Sequence, residues 1–200
     1  MANDFRSARF WARELIQPAL YPGARAVDAT MGNGHDTLAL CELVGEGGHV
    51  YAFDVQPEAV YSTRARLEAA GVLDRATLIC AGHEHIAERT PEPVDAIVFN
   101  LGWLPGAEHG VTTRTETTLS AVHQALETLK EDGVMTICIY PGHAEGARER
   151  DALMEWAKGV DPKRFDVLIK SYLNQPNDPP LMLAVHRLLA RKNKCREKDK

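Results

Sequence analysis

Apolar positions along this chain fall into two alternating rhythms. Short runs with little polar interruption, "ARAVDA", "HVYAFDV", "ATLIC", "VDAIVFN" and "VMTICIY", read as buried strands. Between them lie stretches with helical spacing and stop signals. These run from Asp36 to Val44, ended by the glycines of "GEGG", and from Pro57 to Ala70, with Gly71 as the stop. Others cover Glu84 to Arg89, Thr115 to Lys130 and Gly146 to Lys158. Ahead of them all, Asp4 can cap a helix to Gln17 that Pro18 stops, with Phe5, Ala8, Trp11, Leu15 and Ile16 near one face.

Strands alternating with helices build βαβ units, hence a mostly parallel sheet with helices on both faces. The end of the chain breaks the rhythm. "FDVLIKSYL" and "LMLAVHRLL" are separated only by "NQPNDPP", too short for a parallel crossover, so these two strands are predicted to be antiparallel. The expected fold is therefore α/β and Rossmann-like: a seven-stranded sheet with five parallel strands and an antiparallel terminal hairpin. That is the class I methyltransferase layout, whereas dehydrogenases usually close with a sixth parallel strand. Residues 1–188 read as a single domain with its N-terminal helix in 1–20, and 189–200 as a basic, frayed tail. The exposed sheet edge near the last hairpin leaves room for a homodimer.

Composition adds exclusions. No apolar run is long enough to span a bilayer, and "MANDFRSARFWARELI" mixes charges into its apolar residues where a signal peptide needs a clean core. No membrane partner and a cytoplasmic location are expected. Cys41, Cys80, Cys138 and Cys195 are scattered without a C-x-x-C pair, which suggests neither a disulfide framework nor a zinc site. The formal net charge of −5 is uneven: Arg187 to Lys200 holds seven Lys/Arg against Glu197 and Asp199, so +5 sits on the tail and −10 on the rest. The acidic bulk disfavours a broad electrostatic grip on nucleic acid.

The first candidate chemistry is "DATMGNGHDT", between the first strand and its helix. In an open α/β sheet the ligand lies beyond the carboxyl ends of the strands, where strand order reverses. Gly32 and Gly34 let the backbone turn sharply and leave room for a cofactor. A dinucleotide site wants a third glycine where Thr37 stands, and Asp36 would repel a pyrophosphate at the helix start. Asp36 and Asp28 suit an ammonium group instead, which favours S-adenosylmethionine (SAM) over NAD. Asp54, ending the second strand, is placed to accept from both ribose hydroxyls, with Gln56 at the rim; Gly82 and His83 fall where such proteins hold the adenine. The cofactor candidates are thus Asp28, Thr30, Gly32, Asn33, Gly34, Asp36, Thr37, Asp54, Gln56, Gly82, His83 and Asn100.

The second is "FNLGWLPG", ending the fourth strand. Methyltransferases of exocyclic or alkyl amines carry an acid or amide here, two residues, then an aromatic. The Asn100 amide oxygen, with the Leu101 carbonyl, can accept the N–H hydrogens of an amine and aim its lone pair, while Trp103 stacks on the target base. His143 in "YPGH" and His109 are candidates to relieve the amine of a proton. Asn100, Trp103 and His143 are the catalytic candidates. Leu101, Gly102, His109, Thr113, Arg114, Tyr140, Asn174, Gln175 and Asn177 are the substrate-binding ones. "HEH" at His83–His85 lacks a third ligand at useful spacing, so no metal is expected.

Taken together, "AVDATMGNGHDTL", "FNLGWLPG", "TTRTETT", "YPGH" and "YLNQPNDPPL" resemble the family long labelled rRNA methylases, whose better-studied members are the MnmM/YtqB-type tRNA 5-aminomethyl-2-thiouridine methyltransferases. The resemblance covers residues 8–188. It implies SAM-dependent N-methylation of the 5-aminomethyl group on the wobble (2-thio)uridine, with a tRNA anticodon loop as partner. Arg114 and the threonines Thr112, Thr113 and Thr115 are candidates to grip that loop, with Arg148 and Arg150 behind them. Alternatives are methylation of rRNA or a small amine, an NAD-dependent oxidoreductase, and a non-catalytic SAM- or RNA-binding module.

Overall fold

The computed structural model describes residues 7–102 and 112–190. Seven strands form one sheet: β1 (Arg25–Asp28), β2 (His49–Asp54), β3 (Ala76–Cys80), β4 (Val94–Asn100), β5 (Leu129–Ile139), β6 (Phe165–Lys170) and β7 (Leu181–Arg187). Their order is β3-β2-β1-β4-β5-β7-β6. The first five run parallel; β7 is antiparallel to both β5 and β6, inserted between them.

The helices are α1 (Ala8–Ile16), α2 (His35–Val44), α3 (Pro57–Ala69), α4 (Ile86–Arg89), α5 (Thr115–Thr128) and α6 (Ala144–Gly159). Strand side chains alternate between the two sheet faces. Ala26, Val50 and Ala96 face Leu40, Cys41 and Val44 of α2 and Leu67 of α3. Their neighbours Val27, Ile97, Phe99, Ile137 and Leu183 pack with Ile86, Val122 and Leu153 of α4, α5 and α6. The central strands are apolar on both faces because helices cover both.

Helix α1 lies over β5 and β7, burying Ala8, Trp11 and Ala12 against Cys138, Met182 and Ala184. Trp11 also meets the Tyr172 ring at 5.0 Å and the Lys170 ammonium at 5.0 Å from its ring centroid. This packing aims the next residue along the helix, Arg9, at the carboxyl ends of the strands.

Element boundaries differ from the sequence reading at several points. Helix α1 begins at Ala8 with Ser7 at its N-cap, while Asp4 and Phe5 lie outside the described residues, and α6 begins at Ala144. Helix α5 ends at Thr128, because Leu129 is already extended and begins β5. Register then slips between Val94 and Ala96, with Leu129 and Val134 as successive partners. The extra residues include Asp132 at φ 64, and Lys130 is fixed by an ion pair to Asp95 at 2.8 Å. Strand β6 stops at Lys170, so Leu173 belongs to a longer connection and is fully exposed. On the outer strand, Leu168 and Ile169 are exposed. Among the described residues, no helix is long and apolar enough to cross a membrane.

Candidate active site

The loop after β1 is shaped by two glycines in the left-handed region, Gly32 at φ 50 and Gly34 at φ 76. Gly34 is the N-cap of α2, and its N–H donates to the Met31 carbonyl at 2.8 Å. A Cβ on Gly34 would come within 2.9 Å of Thr63 Cα, so the loop and α3 approach backbone to backbone. From α3, the Thr63 hydroxyl donates to the Gly32 carbonyl at 3.0 Å and Arg66 Nε donates to the Asn33 carbonyl at 2.7 Å.

Two carboxylates hold this loop. Asp28 is buried beneath it, accepting from Thr37 Oγ1 at 2.7 Å and from the Thr30 N–H at 3.2 Å. Burial, reinforced by the charge of Asp36, pushes the Asp28 carboxyl up to about 7. Asp54 accepts from the Gly32 N–H through Oδ2 and from the Gln56 N–H through Oδ1, both at 3.0 Å. Burial raises its pKa as well.

Above the loop opens a cavity of about 660 Å³. It sits beyond the carboxyl ends of the strands at the point where the order reverses between β1 and β4. Thr30, Gly32, Asn33 and Asp36 line one wall; Asp54, Gln56, Gly82 and His83 line the next. Asn100, Leu101 and Gly102 form a third, completed by Thr113, Arg114, Tyr140 and His143. Asp28, Gly34 and Thr37 support the loop from below rather than line the cavity. Asn174, Gln175 and Asn177 are exposed on the β6–β7 connection and do not line it either; beside them, Asp178 pairs with Arg150 at 2.9 Å. Trp103 and His109 lie outside the described residues.

The sequence reading left out Arg9, His35 and Glu84, all of which line the cavity. Arg9 matters most. Its Nη2 stands 2.7 Å from Asp36 Oδ1, so the acid at the start of α2 is already paired to a cation within the chain. The signal for Arg9 is its place at the border of the apolar stripe formed by Ala8, Trp11 and Ala12.

Asn100 donates from Nδ2 to the second Asp36 oxygen at 3.3 Å, and its own backbone N–H donates to Thr30 Oγ1 at 2.8 Å. Its Oδ1 is buried without a hydrogen-bond partner among the described residues. A buried carbonyl oxygen without a donor is costly, and such an atom on a cavity wall is suited to a ligand's N–H.

The histidines are constrained. His83 is buried, edge-on to Phe99 with centroids 5.7 Å apart, and burial lowers its pKa, so the ring is neutral at neutral pH. His143 caps α6: its Nδ1 accepts from the Gly146 N–H at 3.1 Å, which places the proton of the neutral ring on Nε2. Among the described residues, no group of three or more His, Cys, Asp or Glu is arranged to hold a metal. Burial raises the Cys41 and Cys138 thiols to about 12, in keeping with inert core residues.

The sheet order, the reversed β7 and a site at the switch point define a class I methyltransferase fold. Residues 50–186 match the model of the family described as "Putative rRNA methylase", and the chain belongs to that family. It is 34% identical over 186 residues to the tRNA (mnm(5)s(2)U34)-methyltransferase, chloroplastic, of Arabidopsis thaliana, covering 88% of this chain and 68% of that protein. A crystal structure described as a "putative rRNA-methylase" from Clostridium thermocellum superposes with a TM-score of 0.89 at 38% identity, covering 91% of this chain and 98% of the other. SMU.1697c, a "putative methyltransferase" from Streptococcus mutans in complex with SAH, gives 0.83 at 37% identity over 91% and 98%. The protein is a SAM-dependent methyltransferase.

Proposed function

We propose that this enzyme methylates RNA, and that its acceptor is the 5-aminomethyl group of the wobble (2-thio)uridine in a tRNA anticodon loop, giving 5-methylaminomethyl-2-thiouridine. The observation that carries this reading is the buried Asn100 Oδ1 on the cavity wall, which has no hydrogen-bond partner among the described residues. It is an acceptor for a substrate hydrogen on nitrogen or oxygen, which a ring carbon does not offer, and an amine is the acceptor of this kind that fits the reading. The name of the Arabidopsis relative supports the same acceptor.

The residues present fit the cofactor. Asp28, Asp36 and Asp54 surround a glycine turn with carboxylates, which suits a ligand bearing a sulfonium and an ammonium and opposes a pyrophosphate. When bound, SAM supplies a methyl group activated by its sulfonium. Asp54 and Gln56 would hold the ribose hydroxyls, Gly82 and the neutral His83 the adenine, and Gly32 and Asn33 the amino-acid end. Thr30 fixes Asn100 through its backbone N–H.

On the acceptor side, Asn100 Oδ1 and the Leu101 carbonyl would take the amine hydrogens and orient its lone pair, so that positioning provides most of the rate enhancement. Trp103 would stack on the base. His143 would hold the start of α6 against the site rather than act as the base, since Nδ1 is spent on the helix cap. Arg114 on the cavity rim would meet a phosphate. The fold supports assigning residues 1–188 to this one domain, and the exposed edge of β6, with Leu168 and Ile169, supports pairing of two chains.

Mass spectrometry of tRNA nucleosides from a strain lacking the gene tests the reading. Accumulated 5-aminomethyl-2-thiouridine, reversed by the wild-type chain but not by Asn100→Ala, is expected. A wild-type nucleoside profile would overturn the tRNA assignment.

A further inference from the structure

Asp36 accepts two hydrogen bonds from opposite sides of the cavity mouth. Arg9 Nη2 donates to Oδ1 at 2.7 Å, and Asn100 Nδ2 donates to Oδ2 at 3.3 Å. The three residues come from α1, the start of α2 and the end of β4, more than twenty positions apart in sequence. An amide can point either way round, and what decides its direction is the neighbour it faces. An ionised carboxylate can only accept, so it must face the Nδ2 end. The Oδ1 end is then turned away from Asp36 and has no partner among the described residues.

We infer that Arg9 and Asp36 are positioning residues that set the polarity of the Asn100 amide, fixing its oxygen as the acceptor for the substrate amine. Arg9 acts through Asp36: the guanidinium occupies Oδ1 and so holds the second oxygen, Oδ2, towards Nδ2. Helix α1, anchored by Trp11 between β5, β7 and Tyr172, thereby becomes part of the active site without touching the reacting atoms. The inference also reassigns Asp36. A carboxylate occupied on both oxygens is a poor primary partner for a cofactor ammonium, and that duty passes to the other groups of the loop. The inference rests on Asn100 being the amine acceptor.

Asp36→Asn is the decisive variant. An amide at position 36 can donate to Asn100 Oδ1 and consume the open acceptor. The expected result is a fall in kcat on the order of 100-fold at saturating SAM and RNA, the scale of a misplaced reacting group, with SAM affinity by calorimetry within about threefold. Arg9→Gln is expected to lower kcat about tenfold, with Arg9→Lys recovering most of the loss. In an Asn100→Ala background, where no amide remains to orient, Asp36→Asn is expected to cost nothing further. That non-additivity separates orientation from general damage to the fold.

Three outcomes would overturn the inference: unchanged kcat in Asp36→Asn, a loss confined to SAM binding, or full additivity with Asn100→Ala. An effect of Arg9→Gln on the KM for RNA alone would move Arg9 to the nucleic-acid surface instead. The underlying reading fails separately, if Asn100→Ala by itself methylates at the wild-type rate.

Discussion

Thr113 and Glu149 are joined by a hydrogen bond of 2.9 Å that ties the wall of the cavity to the body of helix α6. The same Thr113 hydroxyl accepts from the Gly102 N–H at 3.0 Å, so its lone pair fixes the turn that follows Asn100. Glu149 is 1% exposed and also accepts from Thr118 Oγ1 at 2.6 Å. One turn earlier on α6, Glu145 accepts from the N–H and hydroxyl of Thr115, at 3.0 and 2.9 Å, and ties down the first residue of α5. The segment "TTRTETT" is thus largely occupied in clamping the Asn100 turn between α5 and α6. Thr113 and Thr115 use their hydroxyls inward, which leaves Arg114 as the member of that segment best placed for a phosphate.

Glu149→Ala would leave two threonine hydroxyls without their acceptor. It is expected to destabilise the fold by about 3 kcal/mol, the scale for removing a charged hydrogen-bond partner in a buried site, measured by urea denaturation. Thr113→Val keeps the shape and removes the hydroxyl. It should cost no more than about 1.5 kcal/mol in the same assay while lowering kcat through a loosened Asn100 turn. Thr113→Ser, which keeps the hydroxyl, is expected to restore kcat.

The Asp28 carboxyl makes a signed prediction. Its folded pKa of about 7 stands above the ordinary 3.8, so between those values the folded chain holds a proton that the unfolded chain has released. Stability from this group is therefore present at low pH and falls as pH rises towards 7, by up to about 1.4 kcal/mol per pH unit. Asp54 and Glu149 are raised in the same direction, and His83 is lowered, so total stability mixes several slopes. The difference between wild type and Asp28→Asn isolates the one at issue. Thermal unfolding from pH 5 to 8 without ligand should show a flatter profile for the variant, and parallel profiles would remove Asp28 as the source.

Much of this was legible in the chain itself. The βα alternation and the short "NQPNDPP" link led to the mixed sheet, because period-two and period-3.6 patterns and turn length are local properties. The placing of Asn100, Asp54 and the glycine turn around the cavity was legible because strand ends and Gly spacing mark the switch-point loop. Arg9, Glu149 and the occupied state of Asp36 were not. Each depends on an element distant in sequence reaching across the fold, and a surface helix carries no mark of which arginine will meet which acid. The β6–β7 loop differs from the expectation in placement: "NQPNDPPL" has polar residues suited to a substrate, and Asn174, Gln175 and Asn177 lie off the cavity wall.

Gly34 offers a test of the loop's shape. At φ 76 any side chain is strained, and a Cβ would stand 2.9 Å from the backbone of Thr63. Gly34→Ala is expected to cost about 1–3 kcal/mol of stability and to weaken SAM binding with it, because relief requires the loop to move off α3. A variant with wild-type melting temperature and affinity would mean that the loop's close approach to α3 is not required.

The last prediction concerns which ligand the acidic loop admits. Asp28, Asp36 and Asp54 converge on the turn after β1, and Asp36 stands at the N-terminal end of α2, where a dinucleotide site would seat its pyrophosphate. Arg9 offsets the charge of Asp36, and burial leaves Asp28 partly protonated near neutral pH, yet the turn stays net negative. A ligand with a sulfonium and an ammonium lowers the mutual repulsion of these carboxylates, while a pyrophosphate raises it. SAM at 100 times its Kd should therefore stabilise the protein by about 2.7 kcal/mol, seen as a clear rise in melting temperature, and NAD at the same concentration should leave the transition unmoved. Asp54→Ala should weaken SAM affinity in calorimetry by an order of magnitude or so, since its carboxylate holds the Gly32 N–H and, in the proposed reading, would receive the ribose. A larger thermal shift with NAD than with SAM, or unchanged SAM affinity in Asp54→Ala, would require a different occupant for the site.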